Sequence, residues 1–356
     1  MRPDPISPIL KSLTTFLSTM FVRTNLQYSQ VTNKEILVAR IAISGSTGFV
    51  GSNIAEALLA AGHEVVGLTR DSSRHSAPWT LLDVDYSSVE SLSAATDNCD
   101  AVVHCAIAND FIRLMDDRPA AYENYVAVTE RLGRVADANG SKYIFISSDW
   151  VMDGTGHLEP ESNAGNAINY YGYLKGLGEQ AVHSALEGRG AVARIAGVMG
   201  RHRIAEAPRL QDVGFGYFVD TLVRALRAGD EFVVWGGDFV NTVTTPSLAS
   251  EVGAQIGRIV ERNATGTLHL VGDTAVTRLE LAYTACDVFD LPRSLIREGE
   301  PPASELFPAP VPKDSSLGNA HTKSVLGIGP QPLHELMMAF REEIDRGQVC
   351  PLTNNS

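Results

Sequence analysis

Cysteine is scarce in this chain of 356 residues, and so are long apolar runs. The four cysteines, Cys99, Cys105, Cys286 and Cys350, form no C-x-x-C pair and are too scattered for a disulfide framework or a metal site. We therefore expect reduced thiols, no bound metal and a cytoplasmic protein. No apolar run approaches the roughly 20 residues of a membrane-spanning helix, so we expect no membrane partner.

Positive charge is also in short supply. The chain has 29 Lys and Arg residues against 42 Asp and Glu residues, which gives a net charge of −13. This excess of acid argues against nonspecific binding to nucleic acid or to an anionic membrane. The apolar content of 44% is typical of a globular protein with one large α/β domain or two smaller ones.

The first 34 residues differ from the rest, because they carry four basic residues against a single acid, Asp4. They are rich in Ser and Thr, and their apolar residues can line one face of a helix. This composition suits an organellar transit peptide, so organellar import is an alternative to a cytoplasmic location. A disordered leader, or a reading frame whose true start is Met20, explains it equally well.

A glycine-rich turn follows the apolar run Ile36–Ser44. Gly45, Gly48 and Gly51 stand at three-residue intervals, and an amphipathic run begins at Phe49. A strand, a tight glycine turn and a helix start together hold the pyrophosphate of a dinucleotide, because the helix N-terminus presents unpaired N–H groups to the anion. An ordinary glycine-rich turn between a strand and a helix is the alternative.

The residues after the second strand, 63–70, bear on which dinucleotide would bind. Arg70 and Arg74 flank Asp71 and two serines. An arginine can accept the 2′-phosphate of NADP, whereas an acidic residue binds the ribose hydroxyls of NAD. We therefore predict NADP(H) as the preferred cofactor and NAD(H) as the alternative, although either arginine could also be solvated.

Apolar strands and helical runs alternate as far as Gly200, which predicts an α/β fold with a doubly wound parallel sheet. One long helix is expected from Pro119 to Gly140. After Gly200 the rhythm changes, and a short strand is expected at residues 268–271. We predict a leader at 1–35, a nucleotide-binding domain at 36–200, a smaller C-terminal α/β lobe for substrate at 201–347, interleaved with the sheet edge, and a tail at 348–356.

Three residues could carry chemistry at the carboxyl edge of this sheet. Ser148 ends the fifth strand, and Tyr171 and Lys175 lie four residues apart at the start of the next helix. An ammonium group near a phenol favours the phenolate, and a serine hydroxyl can hold a carbonyl oxygen beside it. Tyr171 could then supply a proton to a carbonyl that receives hydride from a nicotinamide. A helix-surface Tyr/Lys pair is the alternative.

With this glycine turn and this Ser/Tyr/Lys set, the chain resembles the extended short-chain dehydrogenase/reductases from about Ile36 to Gly347. The resemblance implies a Rossmann domain with a small substrate lobe, and Ser148, Tyr171 and Lys175 as the catalytic set. It makes Asn124 part of a proton relay around the lysine, unless Asn124 is a helix-surface amide. The implied cofactor contacts are the turn Gly45, Ser46, Thr47, Gly48, Phe49, Val50 and Gly51, then Asp83, Val84, Cys105, Ala106 and Ile107, and then Ala196, Gly197 and Val198, together with Tyr171 and Lys175.

Within that superfamily the chain is most similar to the dTDP-4-dehydrorhamnose reductase branch. Residues 146–156, ISSDWVMDGTG, resemble that branch's S-T-D-Y-V-F-D-G-T, and residues 171–179, YGYLKGLGE, resemble its Y-G-x-T-K-x-x-G-E. The departures lie on the substrate side. Trp150 replaces a tyrosine, Val311 replaces an arginine, and a tryptophan of the branch is replaced near Arg278.

The resemblance implies an NADP(H)-dependent reductase of a keto-sugar that we expect to be nucleotide-linked, with Tyr171 as general acid and Lys175 lowering its pKa. Arg201, Arg203 and Arg209 could bind a substrate diphosphate or form a solvated loop. The regulatory β subunit of methionine adenosyltransferase resembles the same branch and is one alternative. A nucleotide-sugar 4-epimerase is another. Dehydration is disfavoured, because residues 148–150 lack the glutamate of a Thr-Asp-Glu run. Proteins of this kind are often homodimers, so a homodimer is a possible assembly.

Overall fold

The first strand, β1 (Arg40–Ser44), lies inside a parallel sheet because its apolar side chains are buried on both faces. Ile41 and Ile43 pack into the core on one face, and Ala42 packs into the core on the other. A strand that is covered on both sides forms a continuous apolar run in the sequence. These observations come from a computed structural model that describes residues 38–106, 113–204, 211–212 and 214–355.

Six further strands join β1 in this sheet. They are β2 (Glu64–Thr69), β3 (Thr80–Asp83), β4 (Ala101–His104), β5 (Lys142–Ser148), β6 (Ala191–Ile195) and β9 (Gly266–His269). Their spatial order is β3-β2-β1-β4-β5-β6-β9, and every pairing is parallel. The expected doubly wound α/β fold is confirmed. The strand order reverses between β1 and β4, which opens a crevice at their carboxyl ends where such sheets bind nucleotides.

Helices cover both faces of this sheet and build a second core beyond it. The described α-helices are α1 (Phe49–Ala60), α2 (Val89–Thr96), α3 (Arg113–Asp116), α4 (Arg118–Tyr122), α5 (Val128–Ala138), α6 (Tyr170–Ala185), α7 (Phe218–Ala228), α8 (Ala249–Arg262), α9 (Arg278–Phe289), α10 (Ala320–Leu326) and α11 (Leu333–Arg346). The apolar faces of α7, α9 and α11 form the second core. Two small pairs of strands accompany it: β7 (Phe232–Trp235) with β11 (Ile296–Gly299), and β8 (Val243–Thr244) with β10 (Val276–Thr277).

Part of the region expected to form the second lobe contributes to the main sheet. β9 pairs with β6 at its edge, although the sequence placed a strand at residues 268–271 in the smaller lobe. Helix α8 packs on α1 through Ile256 and Val252, which share a core with Ile54 and Leu58. Residues 249–269 therefore add a helix and a strand to the nucleotide-binding layer, and the division at residue 200 stays a prediction.

The single helix expected from Pro119 to Gly140 is interrupted. A π-helical turn, Glu123–Ala127, separates α4 from α5. Turns of this kind are rare and often lie at functional sites. The turn places Tyr125 in the interior, whereas Asn124 stays exposed. A periodic apolar pattern cannot reveal the turn, because one extra residue shifts the pattern only slightly.

Several expectations lie outside the described residues, namely the leader at 1–35, Ile107 and Arg209. Within the described ranges, no helix is both long enough and apolar enough to cross a membrane.

A buried ion pair joins α1 to the C-terminal helix. The guanidinium of Arg203 donates to Glu343 on α11 and lies 3.4 Å from Glu56 on α1. The side chain of Arg203 is 4% exposed and that of Glu343 is 0% exposed. Arg203 is thus neither part of a solvated loop nor available for a substrate diphosphate, which corrects both interpretations of that residue.

We predict that Arg203→Met destabilises the protein by about 3 kcal/mol or more, because it leaves the Glu343 carboxylate buried without its cation. Urea unfolding monitored by circular dichroism measures this loss. Arg293→Met is the matched control, since Arg293 pairs with Asp287 on the surface. A loss no larger than that of the control would show that the buried pair contributes little.

Candidate active site

The glycine turn after β1 is held closed by backbone contacts. Gly45 has φ +71°, a conformation that favours glycine, and its carbonyl accepts from Gly48 N at 3.0 Å. A Cβ on Gly51 would lie 2.1 Å from the Gly45 oxygen, so only glycine allows α1 to pack this closely on the turn. Gly48 caps α1 without a side-chain hydrogen bond, which leaves the N–H groups of the first turn directed at the crevice.

A cavity of about 1000 Å³ opens in front of this turn. Its volume is at the upper end of the range usual for small-molecule and cofactor sites. The predicted residues that line it are Gly45, Thr47, Gly48, Phe49, Val50, Gly51, Arg70, Arg74, Cys105 and Ala106. Sequence reasoning did not single out Tyr86, His202 or Tyr217, which also line it. The ring of Tyr217 lies 4.5 Å from that of Phe49, a contact between residues too far apart in sequence to predict.

Three predicted cofactor residues turn their side chains elsewhere. Ser46 is fully buried, and its hydroxyl lies against Gly67 instead of facing the cavity. Val84 is part of the core below the sheet. The Asp83 carboxylate accepts from Ser72 N at 2.5 Å and so fixes the chain after β2. At Ser46 and Val84, only the backbone could contact a cofactor.

The rim of the cavity carries two arginines in different settings. Arg74 donates to Asp71 at 2.7 Å. The hydrogen bond from Ser73 lowers the pKa of the Asp71 carboxyl most, and the one from Arg74 lowers it further. Arg70 lies on the rim, is exposed, and forms no ion pair within the described part of the chain. Arg70 is therefore the arginine with a free guanidinium for a phosphate, whereas Arg74 neutralises Asp71.

The structure brings Ser148 and Tyr171 together. The Ser148 hydroxyl, at the end of β5, lies beside the phenol of Tyr171 and favours its ionised form. Burial nevertheless raises the pKa of Tyr171 above its ordinary value, and the carboxylates of Asp149 and Asp212 raise it further, against the opposing effect of the Ser148 hydroxyl. The expectation that Lys175 would lower this pKa is therefore not met in this structure, and the phenol stays protonated.

Lys175 is buried one turn further along α6. Its ammonium donates to Ile146 O at 2.8 Å and lies 4.8 Å from the centre of the Phe145 ring. Desolvation lowers the pKa of Lys175 to about 8, although the nearby Cys105 and Glu179 act in the opposite direction. The side chain is 4% exposed, so a lysine on the helix surface is excluded.

Asn124 is not brought to the lysine. Its amide is exposed and donates to Ala120 O at 2.8 Å, within its own helix. The next residue, Tyr125, lies there instead, with its ring centre 6.0 Å from the ammonium of Lys175 and 6.1 Å from the ring of Tyr171. The π-helical turn produces this exchange, and no feature of the sequence marks it.

The segment after β6 lies deep in the fold. Ala196 N donates to Ser247 Oγ at 3.4 Å, and Ala196 is buried. Gly197 has φ +46° and packs directly against Thr244. Val198 is half-buried. None of these three lines the described cavity, so their predicted place beside the nicotinamide stays a prediction.

An aromatic and aliphatic cluster adjoins Tyr171 on the substrate side. Trp150 contacts the Tyr171 ring edge-on at 5.9 Å and the Phe307 ring at 5.3 Å. Trp235, Val240 and Val311 complete this cluster. Two of the departures noted in the sequence, Trp150 and Val311, are thus neighbours that replace polar groups together. Among the described residues, no group of His, Cys, Asp and Glu is arranged to hold a metal.

Comparison with known families identifies the fold and its class. Residues 39–345 match the family described as RmlD substrate binding domain. The chain belongs to this family. It is 27% identical over 301 residues to a probable low-salt glycan biosynthesis reductase, Agl14, of Haloferax volcanii, and the match covers 84% of this chain and 96% of that protein. The resemblance inferred from the sequence motifs is confirmed.

Two further similarities bear on function, one to a subunit of methionine adenosyltransferase and one to a solved reductase structure. The chain is 30% identical over 229 residues to methionine adenosyltransferase 2 subunit beta of Bos taurus, which covers 64% of this chain and 65% of that protein. A dTDP-4-dehydrorhamnose reductase from Bacillus anthracis, solved in complex with NADP, superposes with a TM-score of 0.69 at 18% identity over 86% of this chain and 100% of that one. At this identity the superposition shows a shared fold.

We predict that Lys175 contributes stability that increases with pH between about 8 and 10.5. The unfolded lysine titrates near 10.5 and the folded one near 8, so at this residue the unfolded state binds more protons in that window. The contribution approaches roughly 3 kcal/mol. Lys142 also has a pKa lowered to about 8, so the measurement is the difference in free energy of unfolding between the wild type and Lys175→Met, which should grow across this window in favour of the wild type. The difference between the wild type and Lys313→Met, whose lysine is exposed, should stay constant. A difference between the wild type and Lys175→Met that does not change with pH would contradict the prediction.

Proposed function

We propose that this protein is an NADP(H)-dependent reductase of a keto-sugar linked to a nucleoside diphosphate, with NAD(H) as a weaker cofactor. The observation that carries the proposal is the Tyr171 phenol beside the buried Ser148 hydroxyl, with the buried Lys175 one helical turn later. Membership of the RmlD family and the likeness to a glycan biosynthesis reductase support the same chemistry.

The cavity fits the proposed dinucleotide. Its glycine turn and open helix N-terminus would hold the pyrophosphate, and Arg70 would hold the 2′-phosphate. Cys105 and Ala106 line the wall between the turn and the catalytic helix. When bound, NADPH supplies the hydride.

The chain's own residues would manage the proton. The Ser148 hydroxyl lies beside the Tyr171 phenol, so a carbonyl oxygen placed next to both could accept from each. Tyr171 gives its proton as the oxygen gains negative charge, and the raised pKa of the phenol keeps that proton available until then. The ammonium of Lys175, one helical turn after Tyr171, could hold the nicotinamide ribose.

A regulatory role is the second candidate, because identity to the methionine adenosyltransferase β subunit reaches 30%. That likeness covers about two thirds of either chain, whereas the likeness to the glycan biosynthesis reductase covers nearly the whole of that protein. Retention of Ser148, Tyr171 and Lys175 favours the enzyme. NADPH binding without turnover of any keto-sugar would favour the regulatory role.

We predict that Tyr171→Phe lowers kcat by about 10²- to 10⁴-fold with little change in NADPH affinity, because only the proton donor is lost. The assay measures NADPH oxidation with a panel of 4-keto nucleotide sugars. Tyr173→Phe, an exposed tyrosine on the same helix, is the matched control and should keep full activity. Turnover that survives Tyr171→Phe unchanged would reject the assigned acid.

We predict that Arg70→Ala weakens NADPH binding by roughly 10- to 100-fold and leaves NADH binding unchanged, since only NADPH carries the 2′-phosphate. Fluorescence titration with each cofactor measures the two affinities. Arg74→Ala should have the smaller effect, because Arg74 is paired with Asp71. Equal losses for both cofactors in Arg70→Ala would place the arginine away from the phosphate.

A further inference from the structure

A buried carboxyl group stands directly behind the Ser148 hydroxyl. Ser148 Oγ donates to Asp149 Oδ1 at 3.0 Å and accepts from Trp150 N at 3.2 Å. The second oxygen, Asp149 Oδ2, accepts from the Ser315 hydroxyl, which also lies 3.3 Å from Asn241 Oδ1. Asp149 is 5% exposed. Its carboxyl group lies between Ser148 and Ser315, which belongs to the C-terminal segment 312–317.

Within the described part of the chain Asp149 forms no ion pair. Its side-chain partners are the hydroxyls of Ser148 and Ser315, and the backbone N–H groups of Asp149 and Trp150 also favour its charged form. A buried carboxylate whose partners are hydroxyl and N–H groups, without a cation, is costly to keep ionised. Desolvation accordingly raises the pKa of Asp149 to about 6, even though both hydroxyls favour the charged form.

The hydrogen bonds around Ser148 are not compatible with its proposed role, which is to donate to a substrate carbonyl oxygen, as long as Asp149 is ionised. A serine has one proton, and the ionised Asp149 attracts that proton away from Tyr171 and from any carbonyl oxygen beside it. A neutral Asp149 with its proton on Oδ1 would reverse this bond, because the acid would then donate to Ser148 Oγ. Ser315 would still donate to Oδ2, so the rest of the network would be unchanged.

We propose that Asp149 is a positioning residue that sets the direction in which Ser148 donates, and that the neutral acid is the form in which Ser148 can donate to the substrate carbonyl. The part of this inference that concerns substrate rests on the proposed reductase function. The change from the ionised to the neutral acid takes up one proton from solvent, which binds at Asp149 Oδ1. The hydrogen bond between Asp149 and Ser148 is then reversed, and the Ser148 hydroxyl donates its own proton to the carbonyl oxygen. The proposal predicts that turnover depends on pH through the titration of Asp149, and not through that of Tyr171 or Lys175.

Other titratable groups surround the site, and each has its own partner. They are Tyr171, Lys175 and Glu179 on α6, Asp212 and Arg278 on the substrate side, and Lys313 and Asp314 next to Ser315. Lys175 donates to Ile146 O, Glu179 pairs with Arg194, Lys313 with Asp238, and Asp314 with His157. Arg278 donates to the backbone carbonyls of Asn241 and Asp212.

The first test is the pH profile of kcat/KM for the full chain with NADPH and a reducible 4-keto nucleotide sugar. The wild type should lose activity above about pH 6, approaching tenfold per pH unit. Asp149→Asn should lose this limb and exceed the wild type by about 100-fold at pH 8, because its amide donates permanently to Ser148. Asp153→Asn, four residues further along the chain, is the control and should keep the wild-type profile. A limb that persists in Asp149→Asn, or an Asp149→Asn protein that binds NADPH but is inactive at every pH, would overturn the proposal.

The second test needs no turnover and separates this inference from the proposed function. Carbon-13 NMR of aspartate-labelled protein should show a carboxyl that titrates near pH 6 and disappears in Asp149→Asn. Ser148→Ala should move its midpoint upward, because the serine favours the ionised form. If no sugar is reduced by any variant, the proposed function fails and this titration alone decides the role of Asp149. A midpoint in the ordinary range of aspartate, or one that Ser148→Ala leaves unchanged, would overturn the role.

Discussion

The close approach of helix α6 to the end of β5 is the constraint on which the site depends. A Cβ on Gly172 would lie 1.9 Å from Trp150 O, so the first turn of α6 touches the backbone that follows β5. One helical turn after Lys175, the Glu179 carboxylate receives two hydrogen bonds from Arg194 and one from Ser147. These contacts fix the depth of the helix. They thereby place the Tyr171 phenol beside the Ser148 hydroxyl, and the Lys175 ammonium where it donates to Ile146 O in β5.

This placement costs free energy, because charged groups lose their hydration when they are buried. An ammonium and a carboxyl are both desolvated on neighbouring elements, at Lys175 on α6 and at Asp149 directly after β5, and neither has an ion-pair partner among the described residues. Both are instead held by backbone or hydroxyl groups, which stabilise a charge less than a counter-ion does. The chain keeps its fully paired buried ions, Arg194 with Glu179 and Arg203 with Glu343, at structural positions outside the cavity. Perturbed groups without counter-ions are characteristic of sites that perform acid–base chemistry.

The sequence predicts the parts of this site that follow from local spacing. A strand end, an i, i+4 pair and glycines at three-residue intervals are local patterns, and they place Ser148, Lys175 and Gly51 as the structure has them. Contacts between distant segments leave no such pattern. The stacking of Tyr217 on Phe49 and the pairing of Arg203 with Glu343 each join residues more than a hundred positions apart. The π-helical turn likewise depends on packing against α6, so the exchange of Asn124 for Tyr125 beside the lysine could not be predicted.

The segment before α7 joins the two halves of the site. Tyr217 stacks on Phe49 in the glycine turn, and Gly214 packs against the ring of Trp150 beside Tyr171. Phe215 and Tyr217 hold positive φ angles of 68° and 54°, which bulky side chains rarely adopt. The guanidinium of Arg278 lies 4.2 Å from the Phe215 ring and supports it from below. A strained backbone persists only where its surroundings fix it, and here they fix it between the cofactor turn and the aromatic cluster. The same short segment therefore contacts both the cavity and the aromatic cluster beside Tyr171. Arg278, near which the branch's tryptophan is replaced, supports this segment through the Phe215 ring.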